Sequence, residues 1–284
     1  MNAEWFKISL AEWSLHRSIF GGTIDPLDFP VVARQTYDIG AVEYVNSCIL
    51  PFDSYVKALK KRAEGEGVES LLIMVDEAGR LGDVNAALRR DAVERHKRWL
   101  DYAQLLGCKA IRVNARSEGS AEEQLKLMAD GLRQLCEEAY ARGLNVLVEN
   151  HGGFSSHGDW VAKLMQTTNH PRAGTLPDFG NWYPDDEYGG PPRVEGVEAT
   201  SYYDRYQGID EMMPFAKGVS AKSYAFDAEG NETSVDYERM IKIVQSHHFT
   251  GYIGVEYEGA AHSEEEGIRA TKALLEKLRA HTAE

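Results

Sequence analysis

Cysteine is scarce. Three occur in 284 residues, Cys48, Cys108 and Cys136, odd in number and far apart. They show neither zinc-ligand spacing nor a disulfide framework, so they read as buried thiols. Long apolar runs are absent too: none approaches the roughly 18–20 residues of a membrane-spanning helix. The start, "MNAEWFKISL", lacks the basic segment and long apolar stretch of a secretory leader. A cytoplasmic location is the expectation, with export left open if a leader has been trimmed. Clustered basic residues are also missing, and 31 Lys and Arg against 45 Asp and Glu give a formal charge of −14. A duplex binder needs clustered cations to neutralise phosphate, so neither nucleic acid nor membrane is an expected partner. The acidic excess reads as a soluble surface. No Gly-rich phosphate loop follows the first apolar run, "SLAEWSLHR", which makes a dinucleotide-binding open sheet the second choice of fold.

Short apolar runs alternate with longer helical patterns throughout. Strands are predicted at 6–14, 41–46, 70–76, 109–115, 145–150, 173–178, 218–224 and 251–257. Helices are predicted near 27–38, 52–66, 84–106, 120–142, 156–168, 208–216, 234–247 and 263–282. In the helix after Ser120, Leu125, Met128, Leu132, Leu135 and Cys136 recur at three- and four-residue steps, with Ser120 as cap and Gly143 as terminator. Eight strand–helix units in about 250 residues suit a closed α/β barrel, a single (β/α)8 domain over residues 1–284. The irregular segment 183–206, rich in Pro, Gly, acid and Tyr, is the predicted active-site loop.

Barrel active sites lie at the C-terminal strand ends. Those ends carry Glu12, Glu43, Asp76, Asn114 and Arg116, Glu149 and His151, Asp178 and Asn181, Lys222, and Glu256 and Glu258. So many carboxylates cannot share one mouth in ionised form unless a cation neutralises some of them. Glu149, Asp178 and Glu256 each close an apolar strand, in "VLVE", "TLPD" and "IGVE". Any one alone reads better as a helix cap or ion-pair partner; three together favour a divalent metal held by oxygen ligands. His151 suits a ligand, a proton carrier, a substrate contact or a turn residue. Lys222 in a barrel mouth needs a carboxylate or a substrate partner. Trp182 offers either a wall for a sugar face or plain packing.

At these residues the chain resembles the sugar isomerase/epimerase superfamily of xylose isomerase-like TIM barrels. The likeness covers nearly the whole chain through "AVEYVN", "GCKAIRVNA", "VLVENHGG", "TLPDFGNW", "VSAKSYAFDAEGNE" and "GYIGVEYEG". The resemblance implies one divalent ion (Mn, Mg, Co or Zn) on Glu149, Asp178 and Glu256, with the two glutamates also moving protons. The family pattern on strand seven is close to His-x-Lys, and this chain reads Ser220-Ala221-Lys222. The fourth ligand is therefore open between water and His151, and Lys222 is an alternative charge for a metal-free site. Asn181 stands where the family carries a substrate-binding histidine. The DNA-repair branch holds a zinc cluster with many histidines, and only His151 falls near this mouth.

The resulting expectation is an isomerase or epimerase of a small keto- or aldo-sugar, working by metal-assisted α-proton transfer through an enediolate. Glu149 and Glu256 exchange the proton and Lys222 stabilises the oxyanion. Glu43, Asn114, Arg116, His151, Asn181 and Trp182 contact the substrate. The alternatives are a lyase of the inosose dehydratase kind and a non-catalytic sugar-binding barrel. A small carbohydrate is the expected partner, and homo-oligomerisation, common among such barrels, is left open.

Overall fold

The computed structural model describes residues 5–187, 189–190 and 201–281. Among the described residues, eight strands follow in order: β1 (Lys7–Ala11), β2 (Ala41–Val45), β3 (Glu69–Val75), β4 (Ala110–Val113), β5 (Asn145–Glu149), β6 (Ala173–Leu176), β7 (Val219–Ser223) and β8 (Tyr252–Tyr257). Apart from β6 and β7, each pairs in parallel with its sequence neighbours, and β8 returns to β1. Between them run α1 (His16–Phe20), α2 (Phe29–Tyr37), α3 (Asp53–Gly65), α4 (Ala86–Leu106), α5 (Ala121–Ala141), α6 (Gly158–Thr168), α7 (Arg205–Met212) and α8 (Tyr237–Ser246), and α9 (Glu264–His281) follows β8. This is the expected (β/α)8 barrel, and each predicted strand is present with small changes at its ends.

Two of those changes have local causes. The first strand stops at Ala11, and Glu12–Leu15 turns into a 3-10 helix. The neighbouring strands hold that turn: the Val45 amide donates to Glu12, and the Ser14 hydroxyl donates to the Val255 carbonyl and accepts from the Tyr257 amide. β6 stops at Leu176, immediately before Pro177, which has no amide hydrogen for a ladder. The short helix α1 was not predicted, because five residues are too few for a periodic signal.

The barrel closes between β6 and β7 through isolated bridges rather than a continuous ladder. Thr175 faces Ala216, and Asp178 faces Ser220. The Ser220 amide donates to the Pro177 carbonyl at 2.9 Å, and the Phe179 amide donates to the Ser220 carbonyl at 3.0 Å. Helix ends follow the predicted grammar. Ser120 and Glu123 form a reciprocal capping box, as do Ser263 and Glu266, and Gly143 leaves α5 at φ +72°. The three cysteines are buried thiols.

Trp182 belongs to the core, which corrects its expected role as a sugar wall. It is wholly buried and stacks on Tyr203 at 6.1 Å. Gly208 on α7 makes room for it, because a Cβ there would lie 2.1 Å from the Trp182 ring. Gly208→Ala is therefore expected to cost about 1–3 kcal/mol through overpacking, seen as a lower Tm in thermal denaturation.

Candidate active site

The barrel is built so that inward-facing positions at the ends of its strands converge. β5 brings Glu149, the turn after β6 brings Asp178, β7 brings Ser220 and Lys222, and β8 brings Glu256. All five are buried. Glu149, Asp178 and Glu256 each offer one oxygen, and the three oxygens lie within 4.8 Å of one another.

Each carboxylate oxygen of that trio has a protein partner. Glu149 Oε2 lies 2.7 Å from Arg112 Nε, close enough for an ion pair though not aligned as a hydrogen bond. Glu149 Oε1 accepts from the Asn181 amide group at 3.3 Å. Asp178 Oδ1 accepts from the Gly180 and Asn181 backbone amides. Glu256 Oε1 lies 3.2 Å from Lys222 Nζ. The Ser220 hydroxyl lies 2.6 Å from Asp178 Oδ2 and 2.9 Å from Glu256 Oε2. A hydroxyl has one proton, so it can donate to only one of these two carboxylates. The other contact needs a proton on a carboxyl group or a nearby cation.

Burial sets the electrostatics. It pushes Asp178 up to about 6, with Lys222 opposing. It pushes Glu149 well above the ordinary carboxyl range, with Arg112 opposing. Lys222 goes the other way. Burial would lower its pKa, but Glu256, Glu258 and Asp178 hold it well above the ordinary lysine value, so it stays charged. Burial, reinforced by Arg112 and Lys222, holds the His151 imidazole well below its usual value and therefore neutral. Asp76 is half-buried; desolvation would raise its carboxyl, but the Arg112 guanidinium, with hydrogen bonds from Arg112 and Asn114, outweighs it and keeps Asp76 ionised.

Above this cluster opens a cavity of about 1000 Å3, lined on its charged side by Asp76, Arg112, Asn114, Arg116, His151, Lys222, Glu256 and Glu258. The predicted substrate contacts separate accordingly. Asn114, Arg116 and His151 line the cavity; Asn114 also donates to Asp76 at 2.6 Å, and Arg116 pairs with Glu187 at 3.0 Å. Asn181 is buried below, where its amide nitrogen meets Glu149 and its oxygen accepts from Lys222 at 3.1 Å. Glu43 does not reach the mouth. β2 continues two residues beyond it, so its carboxylate lies inside the barrel, accepts from Ser9 at 2.6 Å and abuts Gly254. Of the 183–206 loop, residues 188 and 191–200 lie outside the described residues. Its described start crosses the glycines after β5: the Gly153 amide donates to the Pro184 carbonyl, and a Cβ on Gly152 (φ +86°) would meet Glu187 O at 2.4 Å.

Two residues outside the predicted set, Arg112 and Ser220, complete the site, together with Glu258, which was expected at a strand end but given no role. Arg112 bridges Asp76 and Glu149 at 2.7 Å to each. Its signal was the alternation in "AIRVNA", which puts Ala110, Arg112 and Asn114 on one face. Glu258 pairs with Lys222 at 3.3 Å and accepts from the Trp13 indole at 2.7 Å. Ser220 was noted only as a departure from a pattern.

The donor set fits a divalent cation. The three carboxylates are hard oxygen ligands, their charge exceeds what Arg112 and Lys222 neutralise, and Ser220 lacks the protons to satisfy its neighbours.

Residues 33–279 match the family model of the xylose isomerase-like TIM barrel, and the chain belongs to that family. A curated relative, the inosose dehydratase of Clostridium beijerinckii, is 27% identical over 174 residues, 55% of this chain and 55% of its own. The chain thus spans about half the length of the curated relatives it matches. Among solved structures, the 3-keto-D-glucoside 4-epimerase YcjR of E. coli superimposes with a TM-score of 0.72 at 15% identity, over 96% of this chain and 99% of that one. The IolI protein with a bound zinc atom gives 0.73 at 12%, over 97% and 99%. At these identities the likeness is one of fold.

One buried acid gives a pH test away from the cluster. Burial raises Glu12 from 4.5 to about 8, with the Val45 amide opposing. Its folded form keeps its proton where the unfolded chain has lost it. Glu12 therefore costs stability progressively as pH rises from about 4.5 to about 8. Glu12→Gln is expected to stabilise the protein at pH 8 and to change it little at pH 4.5. The gap should widen by up to about 1.4 kcal/mol per pH unit, read from denaturant unfolding at the two pH values.

Proposed function

We propose that the protein is a sugar isomerase or epimerase acting on a small keto- or aldo-sugar by proton transfer at the carbon beside the carbonyl. The observation that carries this reading is the buried carboxylate cluster at the strand ends, from which Glu256 and Lys222 reach the cavity. In this reading the chain acts as one barrel domain, with segment 183–206 as the loop over the mouth.

A divalent cation held by Glu149, Asp178 and Glu256 would supply Lewis-acid polarisation of a carbonyl oxygen. Glu256, the member of the trio that lines the cavity, takes the α-proton as general base. Lys222, fixed by Asn181, Glu256 and Glu258, places its ammonium where the enediolate oxygen develops charge. Glu149, its carboxyl raised by burial, returns a proton. Return on the opposite face gives epimerisation, and return at the neighbouring carbon gives isomerisation. Asn114, Arg116 and neutral His151 fix hydroxyls on the cavity wall, while Asn181 positions Lys222 and Glu149.

A second reading, a dehydratase, is favoured by the inosose dehydratase relatives. It shares the α-proton removal and then expels a β-hydroxyl as water. Product mass separates the two, since isomerisation leaves it unchanged.

Elemental mass spectrometry of the purified protein is expected to find close to one equivalent of a divalent metal in wild type and a loss in Asp178→Asn. No metal in either after supplementation would overturn the cation's place in this reading. On an identified substrate, Glu256→Gln is expected to lower kcat by about 100-fold or more, and full turnover in both Glu256→Gln and Glu149→Gln would refute the proton shuttle. A sugar bound and recovered unchanged would point to a binding protein instead.

A further inference from the structure

The cavity above the cluster has zones of different chemistry, one of them a wall from α4 with Glu94, Arg95, Arg98 and Trp99. Its floor is charged, with Arg112, Lys222 and Glu256. Its rim, on the side of the first βα connection, is aromatic, with Trp13 and Phe20. At about 1000 Å3 the cavity stands at the top of the range for small-molecule sites, about 300–1,000 Å3. One hexose ring on the floor leaves space unfilled, both toward this rim and along the α4 wall.

The aromatic rim is built rather than incidental. The Trp13 indole donates to Glu258 Oε1 at 2.7 Å, and Glu258 pairs with Lys222 at 3.3 Å, so the ring is tied to the charged floor. His16 stacks on Trp13 with centroids 4.8 Å apart and planes 13° apart, backing one face of the indole. Phe20 meets Trp13 edge-on at 6.1 Å and leaves 59% of its surface exposed. An exposed phenylalanine beside a fixed indole at the lip of a cavity is a ready stacking surface for an aromatic ring or the apolar face of a pyranose.

We infer that the rim formed by Trp13 and Phe20 is an outer subsite and that the substrate is a glycoside. Its sugar ring occupies the floor, and its aglycone, an aromatic group or a second sugar ring, stacks on Trp13 and Phe20. This inference rests on the reading of the floor as a sugar site. It adds that a free monosaccharide fills only part of the cavity.

Isothermal titration calorimetry with paired methyl and phenyl glycosides of D-glucose, D-galactose and D-mannose tests it. At least one phenyl glycoside is expected to bind wild type about tenfold more tightly than its methyl counterpart. Phe20→Ala should shrink that gap several-fold and leave methyl glycoside binding as it was, while Phe20→Trp should keep the gap. Phe20 is mostly exposed, so both variants are expected to fold, with Tm as the control. Equal affinities in wild type, or a gap that survives intact in Phe20→Ala, would overturn the outer subsite alone. Binding of no glycoside and of no parent sugar would overturn the subsite together with the sugar site beneath it.

Discussion

An excess of buried negative charge governs this end of the molecule. Buried Glu43, Glu149, Asp178 and Glu256, with half-buried Asp76 and Glu258, gather around Arg112 and Lys222. In a low-dielectric interior such a group persists only when each charge has a partner, a proton or a cation. Arg112 joins Asp76 to Glu149, and Lys222 joins Glu256 to Glu258. Asp178 is left to a hydroxyl and two backbone amides, and it shows a carboxyl raised to about 6 despite the nearby Lys222. The residual charge makes the trio receptive to a divalent cation and keeps Lys222 protonated at the cavity floor.

The barrel supplies the rigidity this arrangement needs. Each charged group projects from a strand, or from a turn pinned to one, and the strands are held by their parallel neighbours. Side chains so mounted keep their separations better than side chains on free loops. Asn181 shows the same principle one step removed, one amide group meeting both Glu149 and Lys222.

Much of the architecture was legible in the sequence because parallel strands, buried on both faces, read as compact apolar runs. Their charged terminators were equally plain, and Glu149, Asp178, Lys222 and Glu256 do converge. What was less legible has physical causes. Arg112 lies inside an apolar run, where only its phase with Asn114 marks it as inward-facing. Glu43 looked like a strand end, but β2 runs on to Val45 and leaves it deeper. Trp182 shares a sequence neighbourhood with Asp178, but beyond Pro177 the strand has ended and alternation no longer predicts direction. Its ring turns outward onto α7. The pairing of Trp13 with Glu258 joins residues 245 positions apart, a separation that no local pattern reports.

The seam between β6 and β7 lacks the continuous ladder of the other strand pairs, and Asp178 and Ser220 bridge it at the site itself. Glu256, one strand further on, meets the same Ser220 hydroxyl. A ligand that draws Asp178 and Glu256 together therefore acts as a stave clamp, fastening the barrel at its weakest joint. Occupancy and closure become linked equilibria, so the affinity of the site for its ligand is also a contribution to the cohesion of the whole ring.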